Sequence, residues 1–298
     1  MATKSESQSI RITESLYVRA GRAVRELLST KKGVLSLVLL LPILFGSLAA
    51  PIVAPYDPTA THVIDRFADP SAQYLLGTDN FGRDLLSRVL YGGRSSIIIG
   101  VSSTALGLVL GVPLGVVSGY VGGRFDEITM RLMDTLLSFP SLLLALLVVT
   151  ALGPGIVNTV LAIGVVFMPR LARITRSSTL SIKNEEFITA AEARDESLGW
   201  ITFKEILPNA GSAVLVEASI RIGFGILIGT SLSFLGLGTQ PPFPDWGYMV
   251  ATSRNHLGQS LWFMLWPGLA LGATILGFNI LGDALRDVLD PEIQSGEL

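Results

Sequence analysis

The distribution of apolar residues constrains the fold of this 298-residue chain more than any other feature of its sequence. Apolar residues are concentrated in six blocks separated by polar stretches, and each block is close to the roughly 20 residues that a helix needs to cross about 30 Å of hydrocarbon. The blocks are Val34–Val53, Ser95–Gly119, Leu132–Leu152, Ile156–Ile174, Ala210–Leu235 and Leu261–Leu281. The sequence therefore predicts an all-α integral membrane protein with six transmembrane helices.

The basic residues predict that both termini lie in the cytoplasm. Sixteen of the 22 Lys and Arg fall in the two terminal tails, in the second connection and between Arg170 and Lys204, whereas five fall in the segments that this orientation places outside. Cytoplasmic connections of membrane proteins carry such an excess of basic residues. The predicted divisions are a cytoplasmic tail (1–32), a first helix (33–53), an extracytoplasmic loop (54–93), a five-helix core (94–285) with a cytoplasmic loop at 175–209, and a cytoplasmic tail (286–298).

The first apolar block has to be distinguished from a secretory signal peptide. Val34–Val53 follows a basic tail and is longer than the usual apolar region of a signal peptide, which favours a retained first helix. Ala49 and Ala50 imitate a cleavage site, so cleavage stays open as an alternative.

The sequence lacks residues that several classes of function require. The chain has no cysteine, which excludes disulfides, thiolate metal sites and a cysteine nucleophile, and its net charge of −2 argues against nucleic-acid binding. Neither His62 nor His256 has a partner at metal-ligand spacing, so no metal site is expected. The sequence contains no P-loop and no hydrolase motif. Energy for transport would then have to come from a partner or from an ion gradient.

The second apolar block carries a stripe of glycines. The four glycines recur every fourth residue, so they share one helix face and allow another backbone to approach closely. They are Gly107, Gly111, Gly115 and Gly119. Packing within the same subunit and packing against a second membrane subunit are both open.

Few charged residues lie within the apolar blocks, although a transporter driven by ions should show some at mid-depth. Asp134 and Asp283 lie near predicted cytoplasmic ends. Glu217 and Arg221 are four residues apart on one helix face, so they could form a structural pair or take part in a substrate or ion site. The scarcity of such residues favours a partner as the source of energy.

The polar stretch Glu186–Asn209 separates the fourth and fifth apolar blocks. It predicts a short helical hairpin at one membrane face, with a small apolar surface that includes Phe187, Ala190 and Ala191, and with a rim of charged residues. After Asp195 the chain must turn, with Gly199 as the alternative position of this turn, and a second helix is expected to end at Pro208. A helix resting on lipid headgroups is the alternative, but an acidic rim would face an anionic leaflet.

This stretch resembles the cytoplasmic signature of importer permeases of the ABC (ATP-binding cassette) class, in which Glu-Ala-Ala is followed by Gly and then by Ile-x-Leu-Pro. Ala190, Ala191 and Leu207-Pro208-Asn209 match this signature, whereas Thr189 and Asp195 stand where the family usually has Glu and Gly. Three further blocks are similar to the C-type permease subunit of dipeptide and oligopeptide transporters. They are LLGTDNFGRDLLSRVLYGGRSS (75–96), SFLGLGTQPPFPDWG (233–247) and GFNILGDALRDVLDP (277–291).

The resemblance implies a type I ABC importer permease, without a cofactor of its own, in a bacterial or archaeal cytoplasmic membrane. The implied partners are a homologous B-type permease subunit, two ATPase subunits that bind ATP and Mg²⁺, an extracytoplasmic substrate-binding protein and membrane lipid. The implied cargo is a peptide or another small solute, such as a nickel chelate, glutathione, an opine or an oligosaccharide. The residues expected to couple to the ATPase are Glu186, Phe187, Thr189, Ala190, Ala191, Glu192, Arg194, Asp195, Glu196, Ser197, Leu198 and Gly199.

The outer loop that precedes the second apolar block is long enough to be functional. The resemblance implies a platform that docks the binding protein or shapes the gate, and the candidate residues are Asp79, Arg83, Asp84 and Arg88. These four could instead pair among themselves in a structural role. A secondary transporter that uses Asp134, Glu217 or Asp283 is the alternative function from another class.

Overall fold

The computed structural model describes residues 25–289 as a helical bundle. Residues 1–24 and 290–298 lie outside this part, and with them most of the two predicted cytoplasmic tails. The helices are α1 (Lys31–Leu48), α2 (Ala50–Val53), α3 (Leu85–Val121), α4 (Gly123–Leu137), α5 (Ser141–Leu152), α6 (Ile156–Ile182), α7 (Glu186–Ala193), α8 (Leu198–Trp200), α9 (Leu207–Phe234), α10 (Trp246–Ser253) and α11 (Trp262–Leu289). Between residues 25 and 289 no β-strand forms, apart from one isolated bridge.

Five helical segments are long and apolar enough to cross a membrane. They are α1, α3, α6, α11 and the continuous segment Leu198–Phe234 that joins α8 to α9 through a π-helical turn at Ile201–Ile206. A sixth is obtained if the bent pair α4–α5 forms one span. The predicted all-α membrane fold is therefore confirmed, while the orientation of the termini stays a prediction.

The third predicted span, Leu132–Leu152, is wrong as a single helix. The chain bends by 91° between α4 and α5. Pro140 is the cause, because it has no backbone N–H to continue the helix and it disfavours helical geometry at Phe139. α5 alone has 12 residues, or about 18 Å, so it is shorter than the hydrocarbon core of a bilayer.

The second span is also longer than predicted, since α3 begins at Leu85 rather than near Ser95. Asp84 caps its first turn, and its carboxylate accepts hydrogen bonds from the backbone N–H of Ser87 at 2.7 Å and from its hydroxyl at 2.7 Å. The end of the predicted outer loop is thus the first part of α3. With 37 residues, α3 extends about 55 Å, well beyond the thickness of a bilayer core.

The glycine stripe packs α3 against α6 of the same chain. A Cβ atom added at Gly111 would lie 2.5 Å from the carbonyl oxygen of Met168, and one at Gly115 would lie 2.3 Å from that of Ala172. Gly107 meets α6 at Phe167 in the same way, and Gly119 meets it further along, at Thr179. All four glycines therefore contact α6 of their own chain. Of the two alternatives that the sequence left open, the structure shows packing within the same subunit.

The main core lies where α3, α5, α6 and α9 meet. Its buried members include Ile99, Val149, Phe167 and Leu232. A tight turn joins α5 to α6 here, where Gly153 and Gly155 have φ angles of 93° and 137°, which glycine adopts without steric cost. This turn lets α5 and α6 pack side by side.

A second apolar cluster closes the end of the bundle that carries the predicted outer loops. Trp246 is buried, its indole N–H donates to the carbonyl oxygen of Val89 at 2.8 Å, and its ring packs against Gly92 and Gly93. Asp245 caps α10 by accepting from two backbone N–H groups. Burial raises the pKa of the Asp245 carboxyl, and those hydrogen bonds oppose the rise. These contacts fix α10 against the first turns of α3.

The close approach of α3 to α6 can be tested with one methyl group. Gly115→Ala should destabilise the protein by about 1–3 kcal/mol, because the new Cβ overlaps the Ala172 carbonyl and neither backbone can yield freely. Gly272→Ala is the matched control, since nothing lies within 4 Å of a Cβ at that position in α11. Thermal unfolding of the purified subunit in detergent measures both variants. Equal melting temperatures would contradict the assigned contact.

Candidate functional site

The predicted hairpin at Glu186–Asn209 forms as a short helix, a tight turn and a second helix. α7 ends in a Schellman motif: the Glu196 N–H donates to the Ala191 carbonyl at 3.2 Å, and the Asp195 N–H donates to the Glu192 carbonyl at 2.9 Å. Asp195 has a φ angle of 56°, the left-handed conformation that favours glycine. The turn therefore occurs at Asp195, as expected, and Ser197 caps the next helix by accepting from the Trp200 N–H.

One face of the hairpin is fixed to the bundle. Ile188 and Ala191 are both 0% exposed, and they pack with Val116 of α3 and with Ile201 and Ile206. The assignment of Ala191 to an exposed docking surface is therefore wrong, because its position three residues after Ile188 turns it toward the core. Ile188 was missed, although the apolar i, i+3 spacing of these two residues was visible in the sequence.

The rest of the hairpin surface is exposed and includes large apolar side chains. Phe187 and Ala190 lie on it, and the second helix adds Leu198, Trp200 and Phe203. Large exposed apolar side chains mark interaction sites when they form a patch. The remaining coupling candidates that are at least partly exposed around this surface are Glu186, Thr189, Glu192, Arg194, Asp195, Glu196, Ser197 and Gly199.

The charged rim of the hairpin is partly neutralised within the chain. Arg194 lies 3.5 Å from a carboxylate oxygen of Glu196 and 3.5 Å from one of Glu205. The Tyr120 hydroxyl donates to Glu192 at 2.8 Å, which ties α7 to the end of α3. A recess of about 550 Å³ lies beside this hydrogen bond. The hairpin thus presents an apolar surface beside a recess lined by polar side chains.

The expectation that Pro208 ends the second helix is wrong. The Leu207 N–H donates to the Thr202 carbonyl, five residues earlier, so the chain is π-helical just before the proline. The wider turn accommodates a residue without an N–H, and the Asn209 side chain donates to the Glu205 carbonyl at 2.7 Å. The hairpin is consequently continuous with the membrane-spanning helix α9.

The four outer-loop candidates form a buried cluster. Arg83 and Arg88 lie 2.6 and 3.3 Å from the same carboxylate oxygen of Asp79, which is fully buried, and Asp84 caps α3 as described above. Asp79 also accepts from the backbone N–H groups of Phe81 and Arg83. Burial favours the structural role that the sequence left open for these residues, because a docking partner could not reach them directly.

A second charged cluster lies between α6 and α9. The Nε atoms of Arg170 and Arg221 donate to the same oxygen of Glu217, at 2.9 and 2.7 Å. The predicted Glu217–Arg221 pair therefore exists, but Arg170 was missed as its third member. The charge pattern had placed Arg170 in the cytoplasmic connection, whereas the structure places it in the middle of α6. Asp134, by contrast, pairs with Arg173.

The fold and these sites define a class: a helical, membrane-embedded protein with a helical hairpin that is continuous with one of its spans. The sequence profile described as "Binding-protein-dependent transport system inner membrane component" matches residues 111–295. The chain therefore belongs to this family, and the resemblance to an ABC importer permease of the dipeptide C-type is confirmed. As a permease subunit it has no ATPase site of its own, since the ATPase of these systems is a separate subunit.

Curated relatives match over most of their length. The chain is 38% identical to the dipeptide transport system permease protein DppC of Alkalihalophilus pseudofirmus, covering 92% of this chain and 90% of that protein. It is 41% identical to the di/tripeptide permease DppC of Pseudomonas aeruginosa (89% of each chain) and 41% identical to the glutathione permease GsiD of Pectobacterium atrosepticum (83% and 82%).

A solved structure shares the fold. The inward-facing MetNI methionine ABC transporter matches with a TM-score of 0.56 at 18% identity, covering 67% of this chain and 96% of the matched chain.

The outer charged cluster should be essential for stability. Asp79→Asn should cost about 3–5 kcal/mol, because it leaves two largely buried guanidinium groups without their carboxylate. The control is Asp57→Asn, at an exposed carboxylate that accepts hydrogen bonds from the nearby Thr59, and this change should leave folding unchanged. The yield of monodisperse protein and its melting temperature measure the difference. Similar values for the two variants would rule out this role for Asp79.

The turn at Asp195 should accept glycine and reject a β-branched residue. Asp195→Gly should keep the hairpin folded and raise stability by up to about 1 kcal/mol, because glycine adopts a positive φ without steric cost. Asp195→Val should lower stability, since branching at Cβ disfavours this conformation. Thermal unfolding and transport by the assembled complex measure both. Loss of transport in Asp195→Gly would show that the carboxylate itself has a partner.

Proposed function

We propose that this chain is the C-type permease of a bacterial inner-membrane importer for di- and oligopeptides. It would pair with a homologous B-type permease, two ATPase subunits that bind ATP and Mg²⁺, and an extracytoplasmic binding protein. The relatives support peptides as the cargo class, since they are permeases for dipeptides, for di- and tripeptides and for glutathione. A loaded binding protein docks outside, ATP closes the ATPases inside, and the helices alternate access to the pathway.

The hairpin Glu186–Asn209 is the proposed contact with the ATPase. The observation that carries this proposal is its division into a buried face fixed to α3 and an exposed apolar face that includes Phe187, Trp200 and Phe203. A partner covering the exposed face would move the hairpin as a unit. Because the hairpin continues into α9 without a break, that movement would reach the membrane-spanning helices directly.

The outer loop is the proposed docking platform for the binding protein. The buried Asp79 cluster holds this loop against the bundle, so its contribution to docking would be to fix the shape of the platform. Side chains that remain available for contact on the outer segments include Val63, Ile64 and Phe243, all of them exposed and apolar.

The transport function is tested with the complete complex in proteoliposomes. Uptake of a labelled dipeptide should require the binding protein, the ATPase subunits and ATP. Uptake by this chain alone, driven by an ion gradient, would contradict the proposal and would support a secondary transporter.

Substitutions at two neighbouring alanines distinguish an effect on docking from an effect on folding. Ala190→Arg should abolish binding-protein-stimulated ATPase activity while leaving the subunit folded, because its side chain points away from the core. Ala191→Arg should instead reduce the yield of folded protein, because a charge would enter a fully buried position. Ala72→Arg, at an exposed position on the outer loop, controls for the added charge. Normal stimulation in Ala190→Arg would exclude this face as the ATPase contact.

A further inference from the structure

The charged cluster of Arg170, Glu217 and Arg221 lies deep within its helices. Arg170 is about 20 Å from either end of the 27-residue α6, and Arg221 is at a similar depth in α9. Charged side chains at such depth avoid lipid and face the interior of a bundle or a water-filled cavity. The side chain of Arg170 is nevertheless 57% exposed in the isolated subunit. Its exposed side is therefore better suited to an aqueous pathway or to a companion permease than to lipid.

The cluster carries an excess of positive charge. Two guanidinium groups share one oxygen of one carboxylate, and both do so through Nε. In the part of the chain that the structure describes, their terminal Nη atoms have no hydrogen-bond partner. A guanidinium group presents its Nη atoms in a planar fork that matches a carboxylate with two parallel hydrogen bonds. The unused donors are thus the part of the cluster that is suited to an anion.

Arg221 is held rigidly for such a contact. Its side chain is 13% exposed, and its guanidinium carbon lies 5.5 Å from the ring centre of Phe167 and 5.0 Å from that of Phe224. These rings and Glu217 fix the guanidinium group before any ligand arrives, which lowers the entropic cost of binding. Arg170 provides the second, more accessible guanidinium group.

An open cleft of about 350 Å³ meets the cluster at Glu217. Glu217 forms part of its wall, together with Ile174, Val216 and Arg286. Arg286 has no ion-pair partner among residues 25–289, so it adds a further positive charge to the cleft. The volume is comparable with that of a small-molecule site.

We propose that Arg170 and Arg221, positioned by Glu217, form an anion site in the translocation pathway that receives the carboxylate terminus of the peptide cargo. This inference rests on the proposed function, since it takes peptides as the cargo. A carboxylate is the chemical group that free peptides share whatever their side chains. A carboxylate site deep in the pathway would hold peptides of varied sequence after the binding protein has released them.

The test is direct binding of two small probes to the complete permease–ATPase complex in nanodiscs, without the binding protein. Saturation-transfer NMR, which detects weak ligands, is recorded with alanyl-alanine and with alanyl-alanine amide. Alanyl-alanine should bind about tenfold more tightly than the amide, because the amide is uncharged and offers one acceptor oxygen where the carboxylate offers two. Equal binding of the two probes, or no binding of either, would overturn the proposal.

Substitutions test whether the tighter binding of the free carboxylate depends on Arg170 and Arg221. Arg170→Gln and Arg221→Gln should each weaken binding of alanyl-alanine about tenfold and leave binding of the amide unchanged. Arg170→Lys should recover part of the affinity, because it restores the charge without the planar fork. Arg131→Gln, at an exposed pair on α4, is the control. Because Arg170 is largely exposed, its variants remain informative if Arg221→Gln does not fold.

Competition distinguishes a cargo site from a general anion site. Acetate should displace alanyl-alanine more effectively than inorganic phosphate does. Stronger displacement by phosphate would instead assign the site to lipid headgroups or free phosphate. Unchanged binding in Arg170→Gln would place the peptide elsewhere in the pathway. If this occurs while the wild-type complex still performs ATP-driven peptide uptake, only the site assignment fails and the proposed function stands.

Discussion

The close contact between α3 and α6 is the constraint on which the rest of the structure depends. Four glycines on α3 bring the two backbones together, so that there is no room for a side chain between Gly115 and the Ala172 carbonyl. Without a hydrophobic driving force inside a bilayer, such van der Waals packing is a main source of helix association. One end of α3 anchors the outer loops through Trp246, and the other holds the hairpin through Val116. A single helix thus connects the two proposed docking regions.

The hairpin has one face attached to the bundle and another face available for contact with a partner. Its buried face, centred on Ile188, fixes it to the bundle, while its exposed face keeps large apolar side chains without cover in this chain. The π-helical turn before Pro208 preserves helical continuity into α9 at a position where proline would otherwise interrupt the hydrogen bonds. Displacement of the hairpin would therefore be transmitted by a stiff element rather than absorbed by a loop.

The two charged clusters show opposite solutions to the cost of burying ions. In the outer cluster Asp79 accepts from side-chain and backbone donors, and burial makes the cluster a structural anchor. In the inner cluster two guanidinium groups compete for one oxygen of Glu217, and their Nη donors stay unused within residues 25–289. Low dielectric surroundings strengthen any interaction that completes such a cluster. The first cluster is suited to stability, and the second is suited to a ligand.

The sequence by itself determined the helical, membrane-spanning type of the apolar segments, the position of the hairpin and the turn at Asp195, because these follow from local periodicity and backbone conformation. It also contained the glycine stripe, but only the tertiary structure decided that α6 of the same chain occupies it. The inward rotation of Ala191, the 91° bend before α5 and the addition of Arg170 to the Glu217 pair were likewise decided in three dimensions. The physical reason is that periodicity defines which residues share a face, whereas the partner of that face depends on contacts between residues distant in the chain.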